Sequence, residues 1–232
     1  MSLKKILLFF LLIILTPYIV VTLLTYKEKE IEFYFSSNSM VRVLRTTTNV
    51  IDVVPLEEYI MGVIAGEMPV SFELEALKAQ AVASRSYVMF HMIRNKDKEY
   101  DVVDTTKHQV YIDSEVLKEK WGSKYEEYAN KIKIAVRETS FQYIVYNDNI
   151  AEALFFSTSA GQTENSEEVF VSMRPYLRSV TSPWDNISPV FNDSNEYTLS
   201  EFCNRLKIKE QVLKIDILET TSTGRIKKNK NK

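Results

Sequence analysis

VVPLEEYIMGVIAGEMPVSFELEALKAQAVASRSYVMFHM, from Val53 to Met92, is the stretch that decides the fold. Residues 56–65 place apolar side chains at helical spacing, and a second helical pattern follows Pro69. A residue that precedes proline is disfavoured in the helical region, so we expect Met68 to be extended and Glu67 to lie in a short loop. The stretch therefore predicts two helices that are joined by an acidic turn.

The second helix has an apolar stripe with two basic residues beside it. Ser71 is its predicted N-cap. Lys78 and Arg85 are seven residues apart, so both lie along the edge of the stripe, where a long basic side chain either reaches water or points into a polar cleft. The stripe consists of Leu74, Leu77, Ala81, Val88 and Met92.

Short strands and another helix are predicted on either side of this stretch. Val41–Leu44 and Val50–Val54 read as two strands around a polar turn. Residues 125–139 have helical spacing, and residues 142–156 read as a hairpin around Asn147-Asp148-Asn149. These elements predict an α+β fold, a single domain of mixed helices and short strands.

The C-terminal third contains a polar loop and two weaker elements. Ser157–Ser166 is rich in hydroxyl groups and follows an apolar strand, a common place for a ligand site; an ordinary polar turn is the alternative. Ser200 is the predicted cap of a short helix to Leu206, and Val212–Glu219 reads as a strand.

The N-terminus predicts a membrane anchor. Ile6–Leu24 is almost continuously apolar, and Lys4 and Lys5 precede it. A run of this length nearly spans a bilayer core of about 30 Å, and the lysines favour a cytoplasmic N-terminus with the remainder outside. A cleaved signal peptide is the alternative. We expect an anchor over residues 1–26, a tether over 27–40 and a domain over 41–232.

Composition narrows the remaining function classes. The formal net charge is −2, so nothing indicates nucleic-acid binding. Cys203 is the single cysteine of the sequence, which rules out an internal disulfide.

Four blocks of the chain resemble the SpoIID/LytB domain family. They occur in the family's order: LEEYIMGVIAGEMPVSFELEALKAQAVASRSYV (Leu56–Val88), DTTKHQVY (Asp104–Tyr111), FFSTSAGQTENSEEVF (Phe155–Phe170) and PYLRSVTSPWD (Pro175–Asp185). The resemblance implies a peptidoglycan lytic transglycosylase that acts in forespore engulfment. Such an enzyme cleaves between N-acetylmuramic acid and N-acetylglucosamine and closes a 1,6-anhydro ring. The family normally continues beyond residue 232, so the chain looks shortened at its C-terminus.

The resemblance also implies roles for individual residues. Glu67 matches the family's catalytic glutamate. Glycosidases commonly use two carboxyl groups, whereas a transglycosylase can use the sugar's own C6 hydroxyl as nucleophile and manage with one. Lys78 and Arg85 match basic positions that contact substrate or orient Glu67, and Gln80 is a further hydrogen-bonding candidate. Candidate partners for sugar hydroxyls are Ser157, Thr158, Ser159, Gln162 and Thr163.

The second block departs from the form that some clostridial members have, a His-Cys pair with an upstream cysteine. This chain has Lys107-His108 and Val102-Val103 there. A structural zinc needs about four ligands, usually Cys and His. Because His91 and Cys203 are the remaining candidates and Cys203 is remote in sequence, we predict no metal, and no other cofactor is implied.

By resemblance, the expected partners are glycan strands (peptide-stripped), a sporulation amidase and a membrane scaffold protein, with the membrane bound through the N-terminal helix. The expected location is the mother-cell engulfing membrane, with the domain facing the intermembrane space. Two alternatives remain open. One is a wall-binding module that has lost catalysis, and the other is an amidase enhancer.

Overall fold

The computed structural model describes residues 4–5, 13–17, 39–208 and 217–227. The chain divides into two compact units, Met1–Ala153 and Leu154–Lys232. Helices and short strands alternate through the described residues, which confirms the predicted α+β class.

A three-stranded sheet covers one side of the first unit. Strands β1 (Met40–Arg45) and β2 (Val50–Pro55) pair antiparallel across a four-residue turn, as predicted. Strand β3 (Val102–Val103) adds to β1 in parallel, giving the order β2-β1-β3. Val41 and Val43, the inward side chains of β1, are 0 % exposed, so one face of the sheet packs against the core.

Within residues 39–153, four α-helices pack with this sheet: α1 (Leu56–Glu67), α2 (Leu74–Arg94), α3 (Ser114–Trp121) and α4 (Tyr125–Glu138). Helices α1, α2 and α4 pack on one another. Their apolar stripes meet in one core that includes Tyr59, Ile60, Leu77, Ala81, Val88 and Ile132.

The hairpin β4 (Val145–Tyr146) and β5 (Asn149–Ile150) is antiparallel. Asn147 and Asp148 both have positive φ, 48° and 60°, which is the two-residue turn that Asn-Asp favours. The prediction of a hairpin is confirmed, although its strands are shorter than predicted.

Two local predictions around α1 and α2 were wrong. Glu67 is the last residue of α1 and not a loop residue, because the amide of Met68 still donates to the carbonyl of Ile64. Proline constrains only the residue directly before it, and Met68 is indeed extended, with φ −133° and ψ 136°. Ser71 does not cap α2, because the chain makes one more turn and Glu73 occupies the N-cap position.

The second unit contains the short helices α5 (Ser166–Val169) and α6 (Leu199–Arg205). Thr198, and not Ser200, caps α6: its hydroxyl accepts from the amide of Glu201, and the Glu201 carboxylate accepts in return from the amide of Thr198. The predicted strand Val212–Glu219 lies mainly outside the described residues.

Within the described ranges, none of the helices is long and apolar enough to cross a membrane. Most of the predicted anchor, Ile6–Leu24, lies outside these ranges, and its residues 13–17 are helical. The predicted anchor and tether therefore stay predictions.

Candidate active site

Glu67 presents a partly exposed carboxyl group at the C-terminal end of α1. The backbone amide of Val110 donates to its Oε1 atom at 2.6 Å. Its Oε2 atom has no hydrogen-bond partner among the residues that the structure describes. One oxygen is therefore fixed, and the other is available to a ligand.

Two glycines bring α1 against the segment that supplies this amide, Val110–Ile112. A Cβ atom on Gly66 would lie 2.4 Å from the carbonyl oxygen of Val110, and one on Gly62 would lie 2.5 Å from that of Ile112. The amide of Ile112 also donates to the carbonyl of Gly62 at 3.3 Å. Glycine at both positions is what allows the segment to reach Glu67.

Two buried tyrosines lie near the Glu67 carboxyl group. Burial raises the pKa of Tyr59 well above its usual value, and interactions with Tyr87 and with the carboxylate of Glu67 add to this. Burial also raises the pKa of Tyr87 to about 12, with contributions from Glu152 and Glu67. Both hydroxyls are therefore protonated at neutral pH, and that of Tyr59 donates to Gln109.

Arg85 lies inside the first unit, with 1 % of its side chain exposed. Its guanidinium donates to both carboxylate oxygens of Glu57, at 2.9 and 2.7 Å, and to the carbonyls of Val136 and Gln142. Arg85 therefore joins α1, α2 and the end of α4. Its predicted contact with substrate stays a prediction.

Lys78 and Gln80 also have protein partners on α2. The Lys78 ammonium contacts Glu75 at 2.7 Å and Glu138 of α4 at 2.8 Å, and these two carboxylates raise its pKa. The buried amide of Gln80 donates to Ser84 at 3.0 Å. The structure describes no contact of either side chain with Glu67, so their predicted roles are untested.

The predicted sugar-binding residues of the second unit form a loop that folds back on itself. The amide of Ser159 donates to Asp185 at 2.8 Å, and its hydroxyl also donates there. Those hydrogen bonds lower the pKa of Asp185. The Thr158 hydroxyl is hydrogen-bonded to that of Ser188, and the Gln162 amide donates to the Ser179 hydroxyl. Both contacts join residues that are far apart in sequence.

Thr163 and Ser157 differ in how freely they meet solvent. The Thr163 hydroxyl accepts from the amide of Val180 at 2.9 Å, so it is occupied in the loop. Ser157 is exposed and contacts Thr158 alone at 3.3 Å among the described residues. The loop thus exists as predicted, and Ser157 and Gln162 are its exposed candidates.

The two histidines lie together in the first unit. The rings of His91 and His108 are 4.8 Å apart, and the His91 Nε2 atom lies 3.7 Å from Glu152. Burial lowers the pKa of both, for His91 to about 4. Across the described residues, no group of three His, Cys, Asp or Glu side chains is arranged to hold a metal ion.

A small, mainly apolar pocket of about 50 Å³ lies beside α1 in the first unit. Aromatic and aliphatic side chains form its walls, and Glu58 and Ser114 supply polar groups. A pocket of this kind can accept a small apolar group that carries hydrogen-bonding neighbours. Its apolar walls are Met61, Tyr111, Ile112, Leu117, Trp121, Tyr125, Ala129 and Ile132.

Sequence reasoning missed the amide that contacts Glu67. Gln109-Val110 drew attention only as part of a family block, and the spacing of Tyr59 in α1 marked it only as a core residue. Every residue except proline has a backbone amide, so the sequence does not show which amide makes this contact. The available signal was the pair Gly62 and Gly66, four residues apart in a helix, which indicates close approach of another segment.

Residues 44–146 match the SpoIID family model, described as Stage II sporulation protein. These residues form a SpoIID domain. The predicted family is thereby confirmed, and the domain contains Glu67, Lys78, Gln80 and Arg85.

Relatives extend the similarity beyond this domain. Stage II sporulation protein D of Bacillus subtilis (strain 168) is 42 % identical over 186 residues, which cover 78 % of this chain and 54 % of the relative. The protein of the same name from Bacillus amyloliquefaciens is 42 % identical over 173 residues, 73 % of this chain and 50 % of the relative. The chain thus spans about half the length of these relatives.

The Amidase enhancer of Bacillus subtilis (strain 168) is also similar. It is 39 % identical over 116 residues, which cover 50 % of this chain and 14 % of that protein.

Proposed function

We propose that this chain is a lytic transglycosylase that cleaves peptidoglycan glycan strands during forespore engulfment, with Glu67 as its acid and base. The observation that carries the proposal is the hydrogen bonding of the Glu67 carboxyl group. Its Oε1 atom is held by the amide of Val110 at 2.6 Å, while its Oε2 atom has no protein partner in the described part of the chain. Similarity to Stage II sporulation protein D supports a role in the cell wall during sporulation.

One carboxyl group is enough for this reaction. In the first step, protonated Glu67 gives its proton to the glycosidic oxygen, and the bond from N-acetylmuramic acid to N-acetylglucosamine breaks. In the second, the C6 hydroxyl of the muramic acid attacks its own anomeric carbon, and the Glu67 carboxylate takes the hydroxyl proton. The 1,6-anhydro ring closes, no water is consumed, and Glu67 returns to its starting protonation state.

The other predicted residues take supporting roles in this proposal. Arg85 has its donors directed to Glu57 and backbone carbonyls, so we assign it to holding α1 and α2 together. Lys78 is partly exposed and can exchange a carboxylate partner for an anionic substrate group. Ser157 and its neighbours supply hydroxyls for sugar contacts.

The test compares cleavage of peptide-free glycan strands by the wild type and Glu67→Gln. The amide oxygen of glutamine can still accept from Val110, but the side chain no longer exchanges a proton. We expect Glu67→Gln to lose at least about a hundredfold in rate. Glu73→Gln, at the exposed N-cap of α2, is the matched control and should retain activity. Equal rates for wild type and Glu67→Gln would refute the role of Glu67.

A second candidate function is amidase enhancement, without strand cleavage by this chain. The observation that favours it is the 39 % identity to the Amidase enhancer over half of this chain.

The enhancer function predicts that Glu67→Gln still stimulates a cell-wall amidase as well as the wild type does. Stimulation that persists in a variant unable to cleave strands would establish the second function. A failure of both wild type and variant to change amidase turnover would remove it.

A further inference from the structure

Tyr59 and Gln109 form a polar contact at the centre of an apolar core. Both residues are 0 % exposed, and the Tyr59 hydroxyl donates to the Oε1 atom of Gln109 at 3.2 Å. The Nε2 atom of Gln109 points to the carbonyl of Ser84 at 3.5 Å. Two apolar side chains of similar shape would fill the same space without the cost of burying polar groups.

Gln109 directly precedes the amide that holds Glu67. The peptide unit between Gln109 and Val110 is planar, so the position of Gln109 sets the direction of the Val110 N–H group. That N–H group donates to Glu67 at 2.6 Å. A hydrogen bond that fixes the buried Gln109 side chain therefore limits rotation of the peptide that contacts the candidate catalytic carboxyl.

We infer that Tyr59 and Gln109 are positioning residues, which hold the Val110 amide against Glu67 and thereby fix the carboxyl group for proton transfer. The kinetic part of this inference rests on the proposed function. Neither side chain is described in contact with Glu67, so both act through the backbone. Misplacement of a reacting group by about 1 Å can reduce a rate by about a hundredfold, so a buried polar pair in this place has a catalytic use.

Tyr59→Phe removes the hydroxyl and keeps the ring. We expect kcat for strand cleavage to fall about ten- to a hundredfold while KM stays within about twofold. Gln109→Met should behave in the same way. The double variant should be no worse than the more affected single variant, because both changes remove one contact.

Tyr128→Phe is the control in the chain of residues 1–232. Tyr128 lies on α4 and packs against the same core from outside the pocket beside α1, and its hydroxyl makes no hydrogen bond among the described residues. This variant loses the same atom from a tyrosine away from Glu67 and should keep wild-type kcat and KM. Equal kinetics for Tyr59→Phe and Tyr128→Phe, or a loss in KM alone, would overturn the inference.

Hydrogen exchange at the Val110 amide tests the contact without any activity. Exchange should be faster in Tyr59→Phe and unchanged in Tyr128→Phe, with the amide of Ala81 in the centre of α2 as a reporter of global opening. Unchanged Val110 exchange in Tyr59→Phe contradicts the inference. Faster exchange together with a wild type that cleaves no strands would uphold the contact and reject the proposed function instead.

Discussion

At the scale of single residues, Arg85 shows how a buried charge is accommodated in this fold. The side chain is 1 % exposed and has a two-pronged contact with Glu57, whose side chain is 38 % exposed. A buried guanidinium without its carboxylate would keep the full cost of desolvation. Arg85 therefore depends on Glu57 for its place between α1 and α2.

Glu57→Gln should lower the free energy of unfolding by about 2–3 kcal/mol, because it leaves Arg85 buried without a counter-charge. Breaking a fully buried pair typically costs about 3–5 kcal/mol, and the partial exposure of Glu57 reduces this loss. Urea denaturation measures the change. Glu75→Gln makes the same substitution in the exposed pair with Lys78 and should cost less than about 1 kcal/mol. Similar losses in the two variants would contradict this reading of Arg85.

Residue patterns predicted that Glu67 lies between the first and second helices, but not which groups surround its carboxyl group. Periodicity and Pro69 located the end of α1 to within a few residues. Whether Arg85 would be buried could not be read from its spacing, because the partner Glu57 comes from another helix. The amide of Val110 reaches Glu67 across 43 residues of sequence, and only the folded chain brings the two together.

At the scale of elements, the packing of α1 against Val110–Ile112 sets the geometry of the site. Gly62 and Gly66 face this segment, and a Cβ atom at either position would lie within 2.5 Å of a backbone oxygen or the Tyr111 ring. Backbone atoms cannot move aside as the end of a flexible side chain can. The separation of the two elements is therefore limited to what glycine permits.

Gly66→Ala should destabilise the fold by about 1–3 kcal/mol, since overpacking against the Val110 carbonyl outweighs the helix preference of alanine, worth about 1 kcal/mol. Thermal or urea unfolding measures it. Ala79→Gly, at an exposed position of α2, calibrates the helix preference alone. A Gly66→Ala variant as stable as the wild type would show that the segment can move away from α1.

The boundaries of helices and strands were predictable where the hydrophobic periodicity was strong. Predictions failed where local hydrogen bonds set the start of an element. The stripe of α2 and the turn at Asn147-Asp148 were visible in the sequence. Helix α3 (Ser114–Trp121) was not predicted, because eight residues give too few turns for a convincing stripe. Its start is set by Asp113, whose carboxylate accepts from the amide of Val116 at 3.0 Å.

At the scale of the whole molecule, the two partly buried histidines couple stability to pH. Burial lowers the pKa of His91 to about 4, helped by His108, Arg94 and Lys98. It also lowers that of His108, with Lys107 and Lys98 contributing. The unfolded chain binds protons on both near pH 6.5. Between these values the unfolded state holds more protons than the folded state, so stability falls as the pH falls.

The urea concentration at the midpoint of unfolding should therefore decrease from pH 7 to pH 5. Carboxylates with lowered pKa values, such as Asp113, begin to affect stability only at lower pH. His91→Gln removes one of the two titrating groups and should reduce this decrease. A decrease of the same size in His91→Gln would show that burial of His91 does not cause it.

Transglycosylation by Glu67 is tested most directly by mass spectrometry of the strand ends that residues 1–232 form in water enriched in ¹⁸O. Peptide-free glycan strands serve as substrate, with Glu67→Gln alongside. Transglycosylation joins the C6 oxygen of the sugar to its own anomeric carbon, so we expect 1,6-anhydro ends without ¹⁸O from the wild type and none from Glu67→Gln. An increase in the number of reducing ends over a sample without enzyme, with no 1,6-anhydro ends, would show hydrolysis by water and contradict transglycosylation by Glu67.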